Sequence, residues 1–296
     1  MSVCWAIAIN TYSPVPSHAV PQADIPANEE LELLKEEETV SIATRHEQPI
    51  SQAPSNVYVI TDEDIRHSGA TDLPSVLRRV PGLDIMQVTG ADFNVSARGD
   101  NQLFANKILV MVDGRSIYID GEGLVFWKSL PVTLPEIKRI EVLKGPASVV
   151  YGFNAFDGVI NIITRAPGEG RSQTTVGGGN GGRLRAMTLV TGRAGAISYR
   201  AAAGYDQEQS FGRLVGPSDV TYRVTAPDLD LARQGVRADV DLTGRAGATT
   251  VRGGLTGARD TIWFSGLGPL RRFYTDITFV QPWAQVDTRW GGLVQG

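Results

Sequence analysis

Three histidines, His18, His46 and His67, and one cysteine, Cys4, are the whole supply of imidazole and thiol in this chain of 296 residues. No histidine has a ligand partner at metal-site spacing. A single cysteine makes neither a disulfide within the chain nor a zinc site. Nucleophilic chemistry also lacks its parts: there is no phosphate-loop lysine, no nucleophile elbow and no triad. The expectation is a protein that is not an enzyme, with no catalytic residue, no metal and no cofactor. Arg98-Gly99-Asp100 spells an adhesion tripeptide, but it falls inside a longer pattern described below. The formal net charge is −4 and the basic residues are scattered, which argues against a nucleic-acid partner.

The question becomes which elements could position a binding surface. No apolar run reaches the ~18 residues of a membrane-spanning helix, whereas a spanning β-strand needs only ~9–11, half of them polar. Val3 to Ile9 is apolar and Ser17-His18-Ala19 resembles a small-x-small cleavage site. Residues 1–19 therefore resemble a secretory signal, incomplete because the first basic residue other than histidine is Lys35. Residues 20–56 are a flexible leader, rich in Pro, Ala and Glu at the start. Within it, Thr39 to Thr44 is a short extended segment.

Residues 57–166 are mixed α/β. Val57 to Ile60 reads as a strand, followed by helix-start chemistry at Thr61 to Asp64. Leu73, Val76, Leu77 and Val80 recur at i, i+3, i+4, i+7, predicting a helix capped by Thr71 and stopped by Pro81-Gly82. Ile108 to Val112 is a strand that turns at Asp113-Gly114. Ile140 to Leu143 and Val159 to Ile163 are further strands. Between them Pro146 opens a short helix that Gly152 ends.

From 170 to 296 lysine disappears and alternation of period two takes over. Ile197, Tyr199, Ala201, Ala203 and Tyr205 share one face, and Val236, Ala238, Val240 and Leu242 another. Val280, Ala284 and Val286 do the same in the last segment, with Trp283 an apolar exception on the polar face. Connections at 192–195 and 244–247 are tight, and those at 206–234 and 260–272 are long and polar. Alternation alone fits a soluble β-sandwich equally well; the short-turn, long-loop asymmetry favours an outer-membrane barrel. About six strands fit before Gly296. The smallest bacterial barrels use eight, so these strands leave open edges on their own.

Three blocks carry a resemblance. They are Leu73 to Leu83 (LPSVLRRVPGL), Ala97-Arg98-Gly99 through Ile108 to Arg115 (ILVMVDGR), and Ile137 to Arg165 (IKRIEVLKGPASVVYGFNAFDGVINIITR). In this order and spacing they resemble the plug domain of TonB-dependent outer-membrane receptors. The resemblance implies an α+β plug domain followed by an incomplete antiparallel transmembrane β-barrel of about six strands. It also implies uptake of a scarce ligand, most often a ferric siderophore, driven by TonB with its inner-membrane energising complex. Outer-membrane lipid would be a further partner, and the cell outer membrane of a Gram-negative bacterium the location.

Glu38, Thr39, Val40, Ser41 and Ile42 resemble the TonB box, the short strand on which TonB pulls; a plain linker strand is the alternative. A strand with unpaired backbone groups can add to a partner's sheet edge. Arg98, Glu141 and Lys144 match family positions that hold plug to barrel wall. Lysine at 144 cannot make arginine's bidentate fork, so a weaker contact is expected there, with the barrel carboxylates beyond residue 296. Gly145, Gly152 and Gly158 are expected at turns and close backbone approaches. Gln87, Asp92, Phe93 and Asn94, with Phe126 and Trp127 in a second stretch, are candidates for the ligand side. The other functional reading is a plug-like module that binds the TonB machinery and transports nothing.

Overall fold

Strands that are apolar on both faces need cover on both faces, and the plug is arranged around one such strand. In a computed structural model of the chain, residues 39–42, 48–53, 56–87, 93–97, 99, 107–118, 124–152, 154–209, 233–265 and 272–288 are described. The signal-like segment, Glu38, Asp92 and Arg98 lie outside these residues. The leader enters as β1 (Thr39–Val40), antiparallel to β2 (Gln48–Pro49). Next come β3 (Asn56–Thr61) and helix α1 (Asp62–His67). Thr61 Oγ1 accepts the Asp64 N–H at 3.1 Å and Asp64 returns the contact at 3.0 Å, a capping box that satisfies two otherwise unpaired amides. The Thr61 backbone N–H holds the Asp64 carboxyl below its usual range.

Helix α2 spans Leu73–Leu77. Its cap is Asp72, not Thr71: the Asp72 carboxylate accepts the Ser75 N–H at 2.9 Å. Pro74 sits in the first turn, where a missing N–H costs nothing. A hairpin of β4 (Leu83–Gln87) and β5 (Phe93–Ala97) follows. The main plug sheet is then completed by β6 (Ile108–Val112), β7 (Arg115–Ser116), β8 (Ile137–Lys144) and β9 (Gly158–Thr164), with a short helix α3 (Ser148–Tyr151) between the last two. Pro146 stands just outside that helix rather than opening it. The sheet order is β3-β8-β9-β6-β7, with β6 and β9 parallel and the other pairs antiparallel.

Alternation along these strands feeds two cores. Val110, Ile140, Val142, Ile160 and Ile162 meet Val76 and Leu77 of α2 on one face. Leu109, Met111, Leu143 and Val159 meet Ala147, Ala155 and the leader's Ile42 on the other.

The second half is a six-stranded antiparallel sheet in chain order: β10 (Gln173–Gly179), β11 (Arg183–Ala194), β12 (Ile197–Glu208), β13 (Arg233–Ala246), β14 (Thr249–Ser265) and β15 (Arg272–Thr288). Gly195-Ala196 and Gly247-Ala248 make two-residue turns. The strands run further than the alternation alone delimits, so the ends of the connections read at 206–234 and 260–272 belong to strands. Register places Val190, Ala201, Val240 and Leu255 in one row across four strands. Val236, Val240, Leu255, Val280 and Val286 are exposed on this outer face. Arg200, Asp206, Glu208, Asp239, Asp241 and Asp260 are buried on the other, against the plug. This is the inverse of a soluble sandwich and suits a wall with lipid outside and polar contents inside.

Candidate functional site

Glu141 stands in the middle of β8 with no solvent exposure. A carboxylate so placed needs donors. Arg139 Nε supplies one at 2.8 Å to Oε1. The others come from the leader: Oε2 accepts the Ser41 N–H at 3.0 Å and the Ile42 N–H at 2.9 Å. Tyr151 of α3 donates its hydroxyl to the Ile42 carbonyl at 2.7 Å. Val40 and Ile42 are 0% exposed, Ile42 within the second core. The segment that resembles a TonB box is therefore seated on the plug by its own backbone groups, the groups a partner strand would need. Burying one isoleucine stabilises by about 1.5–3 kcal/mol, so the seat is firm yet reversible.

Replacing Glu141 by Ala removes the acceptor for both leader amides. Amide hydrogen exchange at Ser41 and Ile42 should accelerate at least about tenfold while β9 stays protected, since one charge-assisted bond contributes about 1.5–3 kcal/mol. Unchanged exchange at both amides would refute the seat.

The plug meets the wall through buried charge. Lys128, 3% exposed, places Nζ 3.2 Å from Asp72 and 2.5 Å from Glu208 of β12, above the Phe93 ring at 5.2 Å. Arg183 holds the same Glu208 at 2.6 Å. Burial pushes the Asp72 carboxyl up, but Lys128 and the Ser75 hydrogen bonds outweigh it and keep the group below its usual range. Arg237 of β13 pairs with Asp206 and donates to the plug carbonyls of Val132 and Lys128, each at 3.3 Å. Arg200 of β12 pairs with Asp239 and Asp241 and donates to the Arg165 carbonyl at 2.6 Å. Arg115 of the plug hairpin lies 4.9 Å over the Trp283 ring, and Trp283 Nε1 donates to Asp241 at 3.1 Å. The tryptophan that broke the alternation is thus a wall residue turned to the plug.

Of the residues singled out from sequence, Glu141 turns to the leader and to Arg139, and Lys144 donates to the Pro81 carbonyl at 2.9 Å. Both contacts lie within plug and leader. The wall carboxylates expected beyond residue 296 have counterparts in the first strands, where Glu208 meets a plug lysine. Gly145 and Gly152 have φ of 132° and 85°. A Cβ on Gly158 would press into the Leu143 carbonyl of the neighbouring strand. Phe93, Asn94 and Trp127 are buried in the plug, and Gln87 and Phe126 are half-buried. Lys128, Asp72, Glu208, Arg200 and Arg237 escaped sequence reasoning. The one available signal was the row of charges at alternate positions of β13, Arg237, Asp239 and Asp241, on the face opposite the valines.

A plug-like α+β unit seated against the inner, polar face of an antiparallel wall whose outer face is apolar defines a class: outer-membrane barrels with an internal plug. Residues 49–159 match the family model described as TonB-dependent Receptor Plug Domain. Over these residues the chain is similar to the plug of TonB-dependent receptors. It is 32% identical over 176 residues to the vitamin B12 transporter BtuB of Vibrio vulnificus, covering 58% of this chain and 28% of that protein. Against the vitamin B12 transporter of Photobacterium profundum the figures are 35% over 162 residues, 54% and 26%. The chain thus spans about a quarter of the length of these relatives. In fold it is similar to the pyoverdine-bound FpvA of Pseudomonas aeruginosa, with a TM-score of 0.64 at 18% identity, covering 86% of this chain and 34% of that one. The siderophore receptor PirA of the same organism gives a TM-score of 0.57 at 23% identity, covering 81% and 38%.

Proposed function

We propose that this chain is the plug and leading wall of a receptor that binds a scarce iron chelate, a ferric siderophore, outside the cell and admits it when TonB pulls the leader. The observation that carries this reading is the seat of Thr39 to Ile42. It is β1 with the two residues that follow, held by a few hydrogen bonds and by the burial of Val40 and Ile42, and placed so that a partner adding to it by strand pairing must first lift it from Glu141. Loss of that seat also removes Ile42 from the second core, which links the leader to the interior of the plug. A cobalamin is the second ligand reading, favoured by the 32% and 35% identities to vitamin B12 transporters.

The test is binding of the periplasmic domain of TonB to the chain. Glu141→Ala should bind more tightly than the parent, and Ile42→Pro, which removes an N–H and blocks strand pairing, should not bind. Equal binding by all three would sink the TonB reading. Equilibrium binding of a ferric siderophore and of a cobalamin to the whole receptor separates the two ligands. Tight TonB binding with uptake of neither would leave the non-transporting module.

A further inference from the structure

Glu136 is a plug carboxylate enclosed at the wall. It lies in the 3-10 turn Leu134–Glu136 that leads into β8, with 1% exposure. One oxygen accepts the Thr133 N–H; the other, Oε2, is buried without a hydrogen-bond partner among the described residues. Across from it is Arg200 of β12, also 1% exposed. Its two Nη groups are committed to Asp239, to Asp241 and to the Arg165 carbonyl, and its Nε is buried without a hydrogen-bond partner among the described residues. The small void between them is also lined by Asp113 and Arg115 of the plug hairpin. Arg115 is engaged by the Trp283 ring and by Asp113 at 3.7 Å.

The charges facing Glu136 are therefore these. From the wall come one cation, Arg200, and two carboxylates, Asp239 and Asp241. From the plug come Arg115 and Asp113, which offset each other. An ionised Glu136 would make three buried carboxylates on one guanidinium, in surroundings where an unpaired charge is far costlier than in water.

We propose that Glu136 enters the docked interface as a neutral carboxylic acid, so that its ionisation loosens plug from wall and makes docking proton-linked. The proton leaves to solvent as the plug parts from β12 and β13. Burial first, then the neighbouring Asp239, raises the Glu136 pKa from 4.5 to about 8, with Arg200 acting in the opposite sense. The sign follows: between about pH 4.5 and 8 the docked state holds one proton more than the undocked state. Docking is then strongest at the acid end of that window and weakens as pH rises through it, by at most about tenfold per pH unit.

Two measurements on the 296-residue chain in a lipid or detergent environment test this. Hydrogen exchange of the amides at 137–144, corrected for intrinsic rates, should lose protection from pH 5.5 to 8 in the parent. In Glu136→Gln it should stay high and flat. Identical pH profiles in the two would overturn the proposal. If Glu136→Gln fails to fold, infrared difference spectroscopy of the parent decides. A protonated-carboxyl C=O band at pH 7 that disappears above pH 9 supports the assignment, and its absence at pH 7 refutes it. A band that persists at pH 7 in a folded Glu136→Gln puts the proton on Asp239 or Asp241 and also overturns it.

Discussion

Lys128→Met should lower the unfolding free energy by about 3 kcal/mol, the low end of the 3–5 kcal/mol typical when one partner of a buried ion pair is removed. Lys128 and both partners are nearly without solvent contact, at 2%, 9% and 9% side-chain exposure, so screening does not soften the loss. The low end applies because Glu208 keeps Arg183 at 2.6 Å. The uncompensated charge is left mainly on Asp72, with only the Ser75 backbone and side chain to receive it. That carboxylate also caps α2, so the damage reaches the main plug core through Val76 and Leu77. Denaturant unfolding of the parent, Lys128→Met and the double variant Lys128→Met/Asp72→Asn measures this. The double variant should recover at least about 1 kcal/mol by removing the stranded charge. A loss below that figure in the single variant, with nothing recovered in the double, would show that the lysine contributes packing alone.

Gly158→Ala should be the most damaging small substitution in the plug. Gly158 begins β9, which lies between β8 and β6, so its backbone is held on both sides. It pairs with Lys144 on one side and Ile108 on the other. The new methyl would meet the Leu143 carbonyl oxygen, a backbone atom, and no side chain can swing away to admit it. Overpacking of this kind costs about 1–3 kcal/mol, and a rigid sheet centre belongs at the upper end. Gly177→Ala in β10 is the matched control, because its Cβ meets nothing within 4 Å. Protease resistance of the plug should fall sharply for the first and be unchanged for the second. Equal resistance would mean that β8 and β9 can slide apart.

Much of this architecture was legible before any coordinates. Ile108 to Val112, Ile140 to Leu143 and Val159 to Ile163 became strands because each is dominated by β-branched and aliphatic residues, with Glu141 and Asn161 the only polar members, and such runs suit a sheet covered on both faces. The two faces of the wall followed from strict period two: Val236, Val240 and Leu242 outward, Arg237, Asp239 and Asp241 inward. A side chain's face on a strand depends on its own position and the register, both local. The cap of α2 was misplaced by one residue, since Thr71 and Asp72 are both capping types and only backbone geometry chooses between them. Phe93 at the start of β5 and Trp127 lie in the plug core, because composition does not reveal which way an aromatic side chain beside a turn will pack.

The sequence by itself determined the strands of the plug, the two alternating faces of the wall and the short extended segment of the leader, since propensity, alternation and a long motif are properties of neighbouring residues. Only the tertiary structure decided what holds these parts together. Lys128 and Glu208 are 80 residues apart, Ser41 and Glu141 are 100 apart, and Glu136 faces Asp239 across the interface. Such pairs are chosen by which charges are stranded from water when plug meets wall. That depends on the shape both surfaces take after folding, and no local pattern in the chain encodes it.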